Sequence, residues 1–134
     1  MVKSFFLIIY FFFSVSGFSQ NENDNYHYIG KDFNDIEYYV LIEKINSESN
    51  KSIWIKKVFP VKTIKNKKGK NINSGGGWEL YFNEIDCIES EIIVREKNTF
   101  DSKGNLKKTS KEYSSYKVIP GSMGDKIKKY VCEN

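Results

Sequence analysis

Two cysteines, one histidine and a run of lysines are the residues of this sequence whose chemistry depends most on where the fold puts them. Cys87 and Cys132 form an even pair with one possible pairing, and in an oxidising compartment they read as a disulfide. A zinc site would need more soft ligands than two distant thiols and His27 supply, so no metal is expected. His27 stands between two tyrosines without an evident acid–base partner and reads as a strand-face or edge residue. Asp86, beside Cys87, reads as a turn anchor or a surface charge. Ser74-Gly75-Gly76-Gly77-Trp78 has the glycines of a phosphate cradle but lacks the Gly-Lys-Ser/Thr that opens a helix, so its glycines read as loop flexibility. Asn50-Lys51-Ser52 fits a glycosylation sequon, a short pattern that carries little weight by itself. With no nucleophile beside a base, no carboxylate pair in a pocket and no metal set, no enzyme activity, catalytic residue or cofactor is expected.

The feature with binding character is the group Lys62, Lys65, Lys67, Lys68 and Lys70. Such a basic strip suits an acidic surface: a sulfated glycan, anionic lipid headgroups or an acidic protein patch. The plainer alternative is a solvated run that keeps the protein soluble. Formal net charge is only +4, too weak an imbalance to imply nucleic acid as a partner. Arg95 is the only arginine, which argues against bidentate phosphate reading.

The elements that must position these residues are mostly strands. Residues 1–19 are expected to be a signal peptide: Lys3, then the apolar stretch Phe5 to Phe13, then small residues at Gly17 and Ser19. Nine apolar residues fall well short of the roughly 20 needed to cross a bilayer, and no transmembrane segment is expected in the mature chain. Without a cysteine near the cleavage site a lipoprotein is not expected either, so the product should be periplasmic or secreted. Residues 20–25 read as a polar leader and 26–134 as a single domain. Strands are expected over 26–29, 36–42, 52–59, 78–88, 91–100 and 110–118, rich in aromatic and β-branched residues and bounded by turn formers. Residues 62–77 read as a mobile loop. In 78–88 the alternation slips, because Trp78, Leu80 and Phe82 share one parity while Ile85 and Cys87 have the other; a bulge near Asn83 and Glu84 would reconcile them. Ser122 and Asp125 form a capping-box pattern, and Ile127, Tyr130 and Val131 follow at helical spacing. The expected fold is α+β: an antiparallel sheet of five or six strands with one short C-terminal helix packed on it and one disulfide.

Four segments carry a family resemblance: YYVLIEKI (Tyr38 to Ile45), SIWIKKVFP (Ser52 to Pro60), WELYFNEIDC (Trp78 to Cys87) and VIPGSMGDKIKKYVC (Val118 to Cys132). In order and spacing they resemble the surface-adhesin protein E family, the last block most specifically. The resemblance implies a small antiparallel β domain with a C-terminal helix and a Cys87–Cys132 disulfide. It also implies a non-enzymatic binding role toward host glycoproteins such as laminin, vitronectin and plasminogen. The sequence departs from the family at Leu41, where an aspartate is common, and in lacking the lipidation cysteine. The alternative expectation is a periplasmic inhibitor or envelope-homeostasis factor that binds another bacterial protein. Oligomeric state stays open.

Overall fold

The computed structural model describes residues 25–134; the signal-peptide reading, 1–19, and all but the last residue of the polar leader lie outside them. Eight strands and one helix follow in chain order: β1 (His27–Lys31), β2 (Glu37–Ile45), β3 (Asn50–Val58), β4 (Val61–Lys65), β5 (Asn71–Gly75), β6 (Trp78–Asp86), β7 (Glu91–Phe100), β8 (Leu106–Lys117) and α1 (Met123–Glu133). Six of the strands form one antiparallel sheet in the order β1-β2-β3-β6-β7-β8. It is a meander in which each strand pairs with its neighbour in sequence, interrupted once by the hairpin β4–β5 between β3 and β6.

Strand alternation sorts the side chains onto two faces. The helix side carries Val40, Ile53, Ile55, Ile85 and Ile92, and α1 sets Ile127 and Val131 against them to form the buried core. Each fully buried aliphatic side chain of this kind contributes about 1.5–3 kcal/mol. Helix α1 starts where expected: Ser122 is extended, and its hydroxyl accepts a hydrogen bond from the Asp125 backbone N–H at 3.2 Å. The Asp125 carboxylate reciprocates by accepting from the Gly121 N–H at 2.9 Å. At the other end of the helix the Cys87–Cys132 disulfide ties α1 to the loop after β6, with a Cα–Cα separation of 5.8 Å.

Three sequence expectations require correction. Strand β6 does not bulge. It alternates regularly from Trp78 to Asp86, pairing residue for residue with β3, so its two apolar sets occupy opposite faces. Ile85 joins the helix-side core, while Trp78, Leu80 and Phe82 belong to the other side. The register shift sits opposite Phe82 and Asn83, where β7 accommodates Arg95 as the extra residue. Residues 62–77 are not an irregular loop either, since most of them belong to the β4–β5 hairpin. Finally, the three glycines before Trp78 are required by geometry. All three have φ near +80°, and a Cβ at Gly77 would stand 2.4 Å from the Phe100 carbonyl oxygen. Only glycine fits where the hairpin folds back into the sheet this closely.

Candidate functional site

The five lysines singled out from the sequence all lie on the β4–β5 hairpin. Val61 pairs with Gly75, Thr63 with Asn73 and Lys65 with Asn71, so the two strands run antiparallel to a turn at 66–69. Asn66 closes that turn: its side-chain carbonyl accepts the Lys68 and Lys70 N–H groups at 2.9 Å each, and Gly69 N–H donates to the Asn66 carbonyl at 2.9 Å. This asparagine-anchored turn is a local, side-chain-driven structure, and it sets Lys67 and Lys68 at the tip with Lys65 and Lys70 beside them. Lys62 stands at the base, where it lines a shallow cavity of about 290 Å³ with Ile64, Asn34, Ile36 and Pro60. Every residue of both hairpin strands is exposed. From Phe59 to Trp78 the sequence has no acidic residue, and among the described residues none of the five ammonium groups is in an ion pair. Most other lysines of the sheet are differently placed. Lys97 pairs with Glu79 at 2.8 Å, Lys107 with Asp101 at 3.2 Å, and Lys111 with Glu96.

The sheet face opposite α1 is covered by no helix among the described residues. Cross-strand register lays Leu41, Trp54 and Phe82 in one row, Tyr39, Lys56 and Leu80 in the next, and Val58, Trp78 and Phe100 in a third. The rings are in contact: Trp54 and Phe82 centroids lie 5.1 Å apart, Trp78 and Phe100 5.2 Å, Tyr28 and Tyr39 5.3 Å. Lys56 reaches over Trp78 at 5.2 Å. Trp54 and Trp78, whose placement the sequence left open, are thus half-buried members of an aromatic platform and not of the helix-side core.

On the helix side, beside the first turn of α1, lies a group of titratable residues that sequence reading missed. Glu79 accepts hydrogen bonds from Tyr81 and Lys97. Burial alone raises the Glu79 carboxyl, but these two donors outweigh it and hold the group below its ordinary 4.5. Burial, then the bond to Glu79, pushes the Tyr81 hydroxyl up to about 12. Burial and the hydrogen bond to Asp32 do the same to Tyr38, also to about 12. Lys57 stands between them, its Nζ 4.5 Å from the Tyr81 ring and 5.6 Å from the Tyr38 ring. The sequence signal was there: Lys51, Ile53, Ile55 and Lys57 share one parity in β3, which places two lysines on the core face.

The remaining candidates are structural. His27, exposed on edge strand β1, stacks on Tyr130 of α1 with ring planes 3° apart and centroids at 4.0 Å. Asp86 accepts the Ile88 and Glu89 N–H groups at 3.0 and 2.9 Å and so anchors the β6–β7 turn. No cluster of histidine, cysteine or acidic residues able to hold a metal occurs among the described residues, and none of their helices is long and apolar enough to cross a membrane. Compared with known proteins, the chain matches no family model, no curated protein and no solved structure.

Proposed function

We propose that this chain is an exported, non-enzymatic binding protein that engages polyanionic glycoproteins or glycans through the β4–β5 hairpin. The observation that carries the reading is the set of five exposed lysines on one hairpin, none of them in an ion pair among the described residues. Charges without internal partners contribute nothing to holding the fold, and their mutual repulsion works against the hairpin that gathers them. An incoming polyanion relieves that repulsion and gains from the lysines gathered at the tip. The neighbouring aromatic platform supplies flat apolar surface of the kind on which sugar rings and extended chains stack. The four segments similar to the surface-adhesin protein E family point to the same class of partner.

The test is a titration of the oxidised protein against immobilised laminin, vitronectin and heparin at low and physiological salt. A variant with Lys65, Lys67, Lys68 and Lys70 all changed to Gln runs in parallel. These side chains are exposed and make no ion pair among the described residues, so the variant should fold with unchanged thermal stability. Saturable binding that survives physiological salt, where screening acts over about 8 Å, and is lost in the variant supports the reading. Absence of binding on all three surfaces, or equal weak binding by both proteins, would refute it and turn the search to a bacterial envelope partner.

A further inference from the structure

Helix α1 covers only part of its side of the sheet. Between its first turn, the 118–122 connection and strands β2 and β3 lies a cavity of about 290 Å³. Ile55, Ile127, Met123 and Ile119 form its apolar walls, and its polar positions include Tyr38 and Lys57. Among the described residues no carboxylate lines it. Lys57 is half-buried, and among the described residues no carboxylate stands within ion-pair distance of its Nζ. Two acids act on it from farther away, and both are otherwise engaged. Asp32 accepts from the Asn34 and Ile36 N–H groups and from the Tyr38 hydroxyl. Glu79 accepts from Tyr81 and Lys97. The second lysine of the cavity, Lys117, reaches away from it to Glu89 and the Glu89 carbonyl. Among the described residues this half-buried ammonium is compensated by the faces of the Tyr81 and Tyr38 rings, which its Nζ overlies at 4.5 and 5.6 Å, and by no adjacent anion. Burial accordingly lowers the Lys57 pKa, with Glu79 only partly opposing it.

We propose that this cavity binds a small apolar carboxylate, its anionic head paired with Lys57 and its body seated against Ile55, Met123 and Ile127. The space accommodates about ten water-sized groups at roughly 30 Å³ each. A medium-chain fatty acid and the last two residues of an apolar peptide, ending in a free carboxylate, share this chemistry and this size. The site shares no lining residue with the basic hairpin, so it stands or falls separately from the proposed polyanion binding.

Isotope-labelled, oxidised protein is titrated with sodium decanoate, decanol, sodium acetate, acetyl-Leu-Leu and acetyl-Leu-Leu-amide, read by amide chemical shifts and calorimetry. Two variants accompany it. Lys57→Met keeps the side chain's length against the tyrosine rings but removes the charge. Ile119→Glu places a negative charge at the mouth, on a residue that is 70% exposed and so free to change without unfolding the domain. Saturable binding of an apolar carboxylate is expected, with shifts at Tyr38, Lys57, Met123 and Ile127. Both variants should weaken it by about tenfold or more, and decanol and acetate should each bind more weakly than decanoate. Preference for decanoate identifies a lipid-derived ligand. Preference for acetyl-Leu-Leu over its amide identifies a peptide C-terminus. If Lys57→Met fails to fold, Ile119→Glu alone decides. No saturable binding by either carboxylate, affinity unchanged in the soluble variants, or shifts confined to the aromatic face would overturn the proposal.

Discussion

Severing the Cys87–Cys132 bridge should weaken the domain severely without unfolding it. The bridge closes a loop spanning 45 residues, and on the chain-entropy account this removes about 4 kcal/mol of freedom from the unfolded state. A domain of this size is stable by only about 5–15 kcal/mol in all. The double substitution Cys87→Ala, Cys132→Ala should therefore lower the thermal midpoint by about 15–30 °C. Helix α1 should nevertheless stay docked. Ile127 and Val131 are almost wholly buried, at about 1.5–3 kcal/mol each. Lys51 holds the Val131 carbonyl from β3, and Lys128 holds the Ser90 hydroxyl. The assay is urea unfolding followed in parallel by tryptophan fluorescence, which reports Trp54 and Trp78 on the sheet, and by far-ultraviolet dichroism, which reports the helix. Coincident transitions are expected, with a somewhat larger dependence on urea, since the unbridged unfolded chain exposes more surface. A loss under about 1 kcal/mol would refute the entropic reasoning. So would early loss of the helical signal while the tryptophan transition stays in place, because the bridge would then act as a local clamp on α1.

Lys51 is only 5% exposed and donates to the Val131 carbonyl at 2.6 Å, supplying from β3 the positive charge that the last turn of α1 lacks. Lys51→Met should cost about 1–3 kcal/mol in urea unfolding; a gain instead would mean that desolvating the ammonium outweighs its bond. Asn83 is 1% exposed, and its side-chain carbonyl oxygen has no partner among the described residues. Its amide donates to the Tyr81 carbonyl at 3.2 Å, so Asn83→Val removes one bond and one unpaired oxygen together and should change stability by less than about 1 kcal/mol in urea unfolding; a loss well above that would show that the amide bond outweighs the unpaired oxygen. Asp101 accepts the Lys103 and Asn105 N–H groups at 2.9 Å. The Asn105 bond is the largest influence in holding its carboxyl at about 2 against an ordinary 3.8, with burial opposing it. Because the folded value is depressed, the carboxylate's support for the β7–β8 turn is complete above pH 3.8 and is lost as pH falls through about 2. Carboxyl-carbon resonance titration should place the midpoint near 2; a midpoint near 4 would show that the turn does not hold the anion.

Where one physical signal dominated, the chain was readable in advance. The last strand-to-helix segment combined a proline, a capping serine and a helical apolar stripe, and α1 begins at its cap as expected. Strand β7 runs from Glu91 to Phe100 as its β-branched and aromatic content indicated. The hairpin escaped because its residues are polar and every one is exposed. Its order comes from ladder hydrogen bonds, the Asn66 turn and the positive-φ glycines, none of which leaves a hydrophobic pattern. The glycines illustrate the same point: Gly77 looks permissive in sequence, yet its position is dictated by the Phe100 carbonyl on a strand more than twenty residues away.

The misreading of β6 explains why the candidate sites were harder to find than the fold. A strand with apolar residues on both parities can be one-sided with a bulge, or regular and apolar on both faces. The expected bulge near Asn83 and Glu84 would bring both parities onto one face. The structure takes the second solution, and its consequence is functional. Because β6 stays regular, Trp78, Leu80 and Phe82 align with Trp54 and Phe100 into a continuous aromatic platform instead of being drawn under α1. The same regularity puts Glu79 and Tyr81 on the helix side, opposite Lys57 and Ile55 of β3, beside the first turn of α1. One register choice therefore creates both the half-buried aromatic platform and the half-covered pocket around Lys57. Shifting that register by one residue would exchange the two faces and abolish both surfaces together.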